Sequence, residues 1–350
     1  MDLVYDEDMK RIRRLIRQAV MMVIICTAAL FAVFAMSPQT GKVIIELAGL
    51  LRKKTDSTAA AETIEETTQA EQPSAPVQVY EFDELYFPYY GMLNDDQKQV
   101  YQQTYREVLS MNAEIEPEVT ISEEDAAEAA MSLLYDHPEL FWLDTAFSYQ
   151  YTEDHVCTKL IMVFNNTADH IDEARKMFDQ SADAIIGEAE KLNGDYEKEK
   201  YVHDALMELA GYDTEASLNQ SAFSALVSRT TVCAGYARAF QHLMTRLGIP
   251  CYYVTGYAEG EHAWNTVMLD GEFYNVDLTW DKGSLTGYDY FNVPDSRFLE
   301  THKRTGRSVD LPACNGTAYA SLADNISPVK LPDLFRNHDQ PEEGFRPGGH

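Results

Sequence analysis

Apolar residues recur every three to four positions between Cys233 and Leu247, which is the spacing of a helix with one buried face. Gly248 and Pro250 follow directly. Both residue types end helices, because glycine adopts the left-handed conformation and proline cannot continue the hydrogen-bond ladder. One of the two threonines at 230–231 is expected to cap the start. The pattern therefore predicts a helix that begins near Cys233 and places this thiol in the first turn.

Alternating apolar and polar residues predict a β-hairpin that begins at His262. An Asp-Gly pair at 270–271 is a strong signal for a two-residue turn in its centre. With that turn, Trp264 lies opposite Asp277, and His262 becomes a diagonal neighbour of Asp277, with about 7–8 Å between their backbones. The hairpin therefore predicts an imidazole–carboxylate pair on one face. We expect the Cys233 helix to lie on this face, and the opposite, more apolar face to pack on a core.

The first 77 residues differ in composition from the rest of the chain. Residues 19–36 carry no charge and follow a basic stretch within residues 1–18, which is typical of a transmembrane signal anchor with a short cytoplasmic tail. Residues 37–77 are rich in small and polar side chains and are expected to form a stalk or linker. The anchor would leave the rest of the chain outside the cytoplasm, as a single-pass protein of the cell membrane. A cleaved signal peptide, and hence a secreted protein, is the alternative.

The remaining residues divide into three blocks. Residues 78–192 combine helix-like and strand-like patterns and are predicted to form a smaller α+β domain, in which Asn94 and Ser122 are candidate helix caps. Residues 193–300 contain the helix and the hairpin described above and are predicted to form the main domain. Residues 301–350 carry five prolines and are expected to wrap around that domain before a disordered end.

Composition limits the partners and cofactors. The formal charge of −29, from 28 basic and 57 acidic residues, argues against nucleic acid, because basic patches dominate nucleic-acid affinity. No residue spacing matches a calcium loop or a zinc site, so neither a metal nor another cofactor is predicted. Of the five cysteines, Cys251 is expected to open a strand, and Cys157 and Cys314 could form a disulfide in an oxidising compartment. The sequence does not indicate an oligomeric state.

A thiol, an imidazole and a carboxylate occur in that order, and each alone has an ordinary structural explanation. Cys233 could be a small buried apolar residue, His262 a structural histidine and Asp277 a turn carboxylate. Together they fit nucleophilic catalysis, in which a thiolate at a helix start is activated by a base that a third group orients. His242 points to the opposite side of the Cys233 helix, and local geometry places no carboxylate beside His203, so neither replaces His262.

Several motifs, taken in order, resemble those of the transglutaminase-like superfamily, which has a papain-like core. They are Tyr201-Val-His-Asp-Ala-Leu, Val232-Cys-Ala-Gly-Tyr-Ala-Arg-Ala-Phe, Leu247-Gly-Ile-Pro, His262-Ala-Trp-Asn and Tyr274-Asn-Val-Asp-Leu-Thr-Trp-Asp. The resemblance, to members of the bacterial membrane-anchored type, covers residues from about 195 to 300. It implies an α+β fold in which the Cys-bearing helix packs on an antiparallel sheet. It also implies that Cys233 is the nucleophile, His262 the base and Asp277 the orienting acid.

The chemistry implied by this resemblance is acyl transfer on protein or peptide amides through a thioester on Cys233. The backbone N–H of Cys233 is the expected first oxyanion donor, and the sequence identifies no second donor. The thioester could pass to water or to an amine, and hydrolysis is slightly favoured because nothing in the sequence identifies an amine site. A non-catalytic binding or assembly scaffold at the cell surface is the alternative function.

Overall fold

The computed structural model describes residues 80–320 and 331–336. The predicted cytoplasmic tail, signal anchor and stalk (1–18, 19–36 and 37–77) lie outside the described residues, and so does the predicted disordered end after residue 340. Within the described ranges, no helix has both the length and the apolar character that a bilayer-spanning helix needs.

The N-terminal part of the described chain combines three helices with a three-stranded antiparallel sheet, in the strand order β1-β3-β2. Two of these helices begin at the predicted caps. Asn94 and Gln97 form a reciprocal capping box, and the Ser122 side chain accepts a hydrogen bond from the backbone N–H of Asp125. The elements are α1 (Pro88–Gly91), α2 (Asp95–Leu109), β1 (Glu114–Ile115), α3 (Glu123–Asp136), β2 (Leu143–Tyr151) and β3 (Cys157–Phe164).

A second group of elements leads to the thiol-bearing helix. They are α4 (Ile171–Ala189), α5 (Asp195–Leu209), β4 (Gly211–Tyr212), a π-helical turn (Ser224–Ser228), β5 (Thr230–Thr231) and α6 (Cys233–Arg246). Helix α6 is buried on all sides from Ala234 to Met244, whereas the sequence pattern indicated a single buried face. The helix stops as predicted, because Gly248 has a φ of +75° that residues with a Cβ rarely adopt.

A four-stranded antiparallel sheet follows α6. Its elements and their neighbours are β6 (Cys251–Tyr257), β7 (Glu261–Leu269), β8 (Glu272–Val276), α7 (Leu278–Gly283), α8 (Asp295–Phe298), β9 (Lys303–Arg304), a 3-10 turn (Gly306–Asp310) and α9 (Asp333–Arg336). The strand order is β8-β7-β6-β9. The β7–β8 hairpin has the predicted register, with Leu269 opposite Glu272, and both turn residues have a positive φ, 50° and 82°. The hairpin is shorter than predicted, because β8 ends at Val276 and Asp277 caps α7.

The two faces of this sheet are covered differently from the prediction. Helix α6 packs through its alanines on the face that carries Tyr253 and Ala263, so its expected position on the Trp264 face is wrong. The Trp264 side chain is instead enclosed by apolar residues from several parts of the chain, among them Tyr89, Val254 and Phe298. Ala234 and Ala237 of α6 and Ala263 of the sheet let the helix approach closely, whereas the bulky indole needs a separate apolar cover. The Cys-bearing helix thus packs on an antiparallel sheet, as the α+β fold class predicts.

The hydrophobic core and the cysteines are relevant to the predicted domain boundary and to the predicted disulfide. One cluster of buried side chains extends from Tyr90 to Phe335. The proposed domain boundary at residues 192–193 remains a prediction. Cys157 and Cys314 are both buried free thiols and form no disulfide with each other. Cys251 opens β6 and is fully buried, as expected.

Gly235, in the first turn of α6, lies against the segment that precedes the helix. A Cβ at this position would lie 1.9 Å from Thr231 Oγ1 and 2.6 Å from the backbone oxygen of Asn219. Thr231 itself donates a hydrogen bond to that same oxygen, at 2.9 Å. The absence of a side chain at Gly235 therefore lets this segment fix the start of α6 next to Cys233.

A buried ionic cluster fixes helix α7, the helix that begins at Asp277. The His203 side chain, on α5, is 1% exposed and bonds to Asp204 at 2.9 Å and to Asp281, in α7, at 3.1 Å. Burial alone would lower the pKa of His203, but its bonds to the two carboxylates outweigh burial and raise the pKa to about 9. The expectation that local geometry places no carboxylate beside His203 is wrong, because the adjacent Asp204 bonds to its Nδ1, and Asp281 from a distant helix adds a second carboxylate.

We predict that Gly235→Ala destabilises the protein by about 2–3 kcal/mol, because the added methyl group forces α6 away from Thr231. Gly187→Ala in α4 is the matched control. A Cβ there meets nothing within 4 Å, so it should stabilise the protein by about 0.5–1 kcal/mol. Urea unfolding of both variants measures the two effects. Equal stability of the two variants would contradict the proposed packing.

The His203 cluster predicts a pH-dependent contribution to stability. A pKa of about 9 in the folded protein means that this contribution is complete below the ordinary pKa of about 6.5 and is lost as pH rises through about 9. The free-energy difference between wild type and His203→Gln should therefore shrink by about 3 kcal/mol between pH 6 and pH 9.5. Thermal melts across this range measure it, with His155→Gln, at a side chain 73% exposed, as control. A difference that does not change with pH would contradict an imidazolium at His203.

Candidate functional site

The Cys233 thiol lies at the start of helix α6. Cys233 is half-buried, and the capping position before it is Val232, which offers no side-chain acceptor to the first-turn N–H groups. The predicted threonine cap is therefore wrong, since Thr231 hydrogen-bonds instead to Asn219 and Ser224. Uncapped N–H groups and the positive end of the helix dipole favour an anion at this position.

His262 and Asp277 form a buried hydrogen-bonded pair. His262 Nε2 lies 2.6 Å from Asp277 Oδ2. The other oxygen, Oδ1, accepts hydrogen bonds from the backbone N–H groups of Thr279 at 2.9 Å and Trp280 at 3.1 Å. Asp277 is thus held at the start of α7 and not on a strand, and Thr279 does not continue the hairpin opposite His262. The turn into the helix fixes the direction of the carboxylate toward the ring.

The electrostatics of this pair are dominated by hydrogen bonds. Burial alone would lower the pKa of His262, but hydrogen bonds to Asp277 and to Cys233 outweigh it and raise the pKa to about 10. Burial alone would raise the pKa of Asp277, but hydrogen bonds from His262 and His302 lower it to about 2. These shifts favour an imidazolium at His262 and a carboxylate at Asp277. The structure thus brings the three predicted side chains together around one imidazole.

His302 is a site residue that the sequence analysis missed. Its Nε2 lies 3.1 Å from Asp277 Oδ2, the same oxygen that bonds to His262. Its Nδ1 lies 2.8 Å from Thr301 Oγ1, and its ring stacks on Phe298 with 4.0 Å between ring centroids. His302 is 2% exposed and follows α8, in a segment without a regular apolar pattern. No spacing rule relates this segment to Asp277, so only the folded chain identifies it.

His242, the other histidine considered, has a different environment. Its ring lies 4.7 Å from that of Phe178, on α4, and burial lowers its pKa to about 4. His242 therefore contributes a neutral buried ring to the packing of α6, and His262 keeps its place as the histidine next to the thiol.

His262, Asp277 and His302 also form the one cluster in the described residues whose three donor atoms could together hold a metal ion, all within 4.8 Å of one another. The carboxylate oxygen, however, lies only 2.6 Å and 3.1 Å from the two ring nitrogens. Two ligands of a tetrahedral zinc ion, each about 2.0–2.1 Å from it, would lie more than about 3 Å apart. The geometry is therefore that of direct hydrogen bonds. The prediction that the protein needs no metal remains a prediction.

Tyr212 is an exposed residue close to Cys233. It lies in β4, is 49% exposed, and pairs with Thr231, two residues before Cys233. Partial burial raises its pKa, and so do the nearby charges of Cys233 and Asp277. The sequence analysis did not single out this residue, because its position depends on the parallel pairing of two very short strands.

Residues 183–278 match the model of the Transglutaminase-like superfamily. Kyphoscoliosis peptidase of Mus musculus is 31% identical over 119 residues, which are 26% of this chain and 18% of that protein. Kyphoscoliosis peptidase of Homo sapiens is 31% identical over 100 residues, which are 22% of this chain and 15% of that protein. The chain thus spans less than a fifth of the length of these curated relatives.

Two solved structures are also similar to parts of the chain. A protein from Cytophaga hutchinsonii, provisionally named a cysteine protease, has a TM-score of 0.28 and 23% identity, and the match covers 37% of this chain and 41% of that one. A structure named as a TGase has a TM-score of 0.28 and 19% identity, with 50% and 51% covered. The family match includes Cys233, His262 and Asp277 and ends before His302. The chain therefore carries a transglutaminase-like domain at residues 183–278.

Proposed function

We propose that this domain catalyses thiol-dependent acyl transfer on protein or peptide amides, with Cys233 as nucleophile, His262 as base and Asp277 as orienting acid. The observation that carries the proposal is the His262 ring, which bonds to a buried carboxylate at 2.6 Å and whose pKa is raised by the Cys233 group at an uncapped helix start. A nucleophile, a base and an orienting group within hydrogen-bond reach are the arrangement that such catalysis requires.

In the proposed reaction, the Cys233 thiolate attacks the carbonyl carbon of an amide, and the carbonyl electron pair moves to the oxygen. First-turn N–H groups of α6 stabilise this oxyanion. The C–N bond then breaks, the His262 imidazolium gives its proton to the leaving nitrogen, and a thioester remains on Cys233. His262 next takes a proton from the incoming water or amine, which attacks the thioester and releases the thiolate.

Asp277 and His302 would act as positioning residues in this scheme. Asp277 Oδ2 accepts from both rings, so it keeps the hydrogen bond from His302 while His262 is briefly neutral. The stacking of His302 on Phe298 and its bond to Thr301 hold the second ring in place. His302 therefore supports the orientation of His262 through the shared carboxylate, without contact with the reacting atoms.

Hydrolysis is proposed as slightly favoured over amine transfer. Cys233 is half-buried and Tyr212, which pairs with Thr231, is exposed, so the surroundings of the thiol are partly open to water. Nothing in the sequence identifies an amine site. The protein would then act as a peptidase or amidase outside the cytoplasm, held by its N-terminal segment.

We predict that iodoacetamide alkylates Cys233 much faster than the other cysteines of the described chain. Burial raises the pKa of the Cys157 and Cys251 thiols and raises that of Cys314 to about 12, so these thiols should react slowly. His262→Ala should slow alkylation of Cys233 roughly tenfold at pH 7, because the thiolate loses its cationic partner. Peptide mass spectrometry over time gives each rate.

Two outcomes would count against the proposed site. Equal alkylation rates at all four thiols would remove the case for an activated nucleophile. His302→Gln provides a graded comparison, since it leaves the pair of His262 and Asp277 intact and should slow alkylation by less than His262→Ala does. An equal or larger effect of His302→Gln would contradict the assignment of His262 as the base.

Product analysis distinguishes the two acceptors. The full chain is incubated with a glutamine-containing peptide mixture and a labelled primary amine, and products are identified by mass spectrometry. We expect cleaved or deamidated peptides from wild type and none from Cys233→Ala. Incorporation of the amine by wild type alone would favour transfer instead. Unchanged cellular function of Cys233→Ala would favour a non-catalytic scaffold.

A further inference from the structure

A buried arginine without a carboxylate partner lies on the thiol-bearing helix. Arg238 is 7% exposed, its Nη1 donates a hydrogen bond to the backbone oxygen of Leu134, and its guanidinium lies 4.5 Å above the ring of Tyr253. Its Nε has no hydrogen-bond partner, and no ion pair with any described residue accompanies it. A buried cation is costly unless an anion compensates it, so this arrangement suits an anion that is not part of the fold.

Arg238 lines a cavity of about 220 Å³. Its lining includes the apolar side chains of Leu140, Phe141 and Leu143 and the segment 218–222, which contains Gln220. Pockets for whole small molecules have volumes of about 300–1,000 Å³, so this cavity is closer in size to a single side chain. A lining that combines apolar side chains with one guanidinium fits the methylene groups and the carboxylate of an acidic side chain.

The cavity adjoins the start of helix α6. Asn219, in the wall of the cavity, accepts hydrogen bonds through its backbone oxygen from Thr231 Oγ1 at 2.9 Å and from the N–H of Val232 at 3.4 Å. Val232 directly precedes Cys233. The Tyr253 ring below Arg238 also packs against Ala234, the residue after the thiol. A peptide whose amide lies at Cys233 would therefore place a neighbouring side chain near the cavity.

We propose that this cavity is a subsite for an acidic side chain of the peptide substrate, with Arg238 as its carboxylate-binding residue; the proposal rests on the proposed function of Cys233. A guanidinium offers a planar pair of donors that matches a carboxylate. Its electrostatic attraction for the carboxylate is strongest in a site shielded from water. The Gln220 side chain at the rim is a further donor.

Asp144 is the one acidic residue among the described residues that line the cavity. It is exposed, and its Oδ1 accepts hydrogen bonds from Thr145 Oγ1 and from the backbone N–H of Ala146, so its own loop holds it. Its negative charge at the rim opposes an incoming carboxylate and sets a limit on the affinity. Asp144→Asn should therefore strengthen the preference for acidic peptides without a change in the buried structure.

The test uses full-length Cys233→Ala, which binds without turnover. Hexapeptide amides that carry a single Glu or its isostere Gln at each position in turn are titrated by fluorescence polarisation. We expect at least one position at which the Glu peptide binds about tenfold more tightly than the Gln peptide. Equal binding at every position would overturn the proposal. Because no chemistry is measured, this result stands apart from any failure of alkylation or hydrolysis.

Two variants in the same background assign the effect. Arg238→Met keeps most of the aliphatic stem and should reduce the Glu-to-Gln ratio to about one, whereas Asp144→Asn should raise it. Asp144→Asn serves even where Arg238→Met fails to fold, because Asp144 is exposed. A ratio that Asp144→Asn leaves unchanged would place the acidic side chain elsewhere and overturn the assignment.

Discussion

The Asp277 carboxylate is the group on which the rest of this site depends. Removing a carboxylate from water is costly, and four hydrogen bonds compensate for it here: two from backbone N–H groups to Oδ1 and two from imidazoles to Oδ2. One oxygen thus fixes the acid to its helix and the other fixes the rings to the acid. Any shift of that helix moves His262, and the cluster of His203 and Asp281 holds the helix from the far side.

The two faces of the four-stranded sheet pack against different partners. The alanine-rich contact of helix α6 with Tyr253 and Ala263 includes Ala234, the residue after Cys233, and so holds the start of the helix against the sheet. The Trp264 face is covered by bulky apolar side chains, and this cover excludes water from the hydrogen bond between His262 and Asp277. Of the candidate catalytic groups, Asp277 is fully buried, whereas Cys233 at the helix start is half-buried.

Sequence patterns predicted those parts of the site that depend on local geometry. The Asp-Gly turn set the register that brings His262 near Asp277, and the apolar spacing with Gly248 located the helix of Cys233. The patterns could not identify the side of the sheet on which the helix packs, since that depends on the fit of small against small surfaces. They also missed the tertiary partners His302 and Asp281, because no periodicity relates one element to a distant one.

The position of His302 also defines how much of the chain makes up a functional unit. The family match ends at residue 278, yet the second imidazole, part of the cover of Trp264 and the edge strand β9 come later. A recombinant fragment cut at the family boundary would keep Cys233 and His262. It would expose part of the Trp264 side chain and remove the hydrogen bond from His302 to Asp277. For crystallography or assay, the shortest sensible fragment therefore runs past the 3-10 turn at Gly306–Asp310.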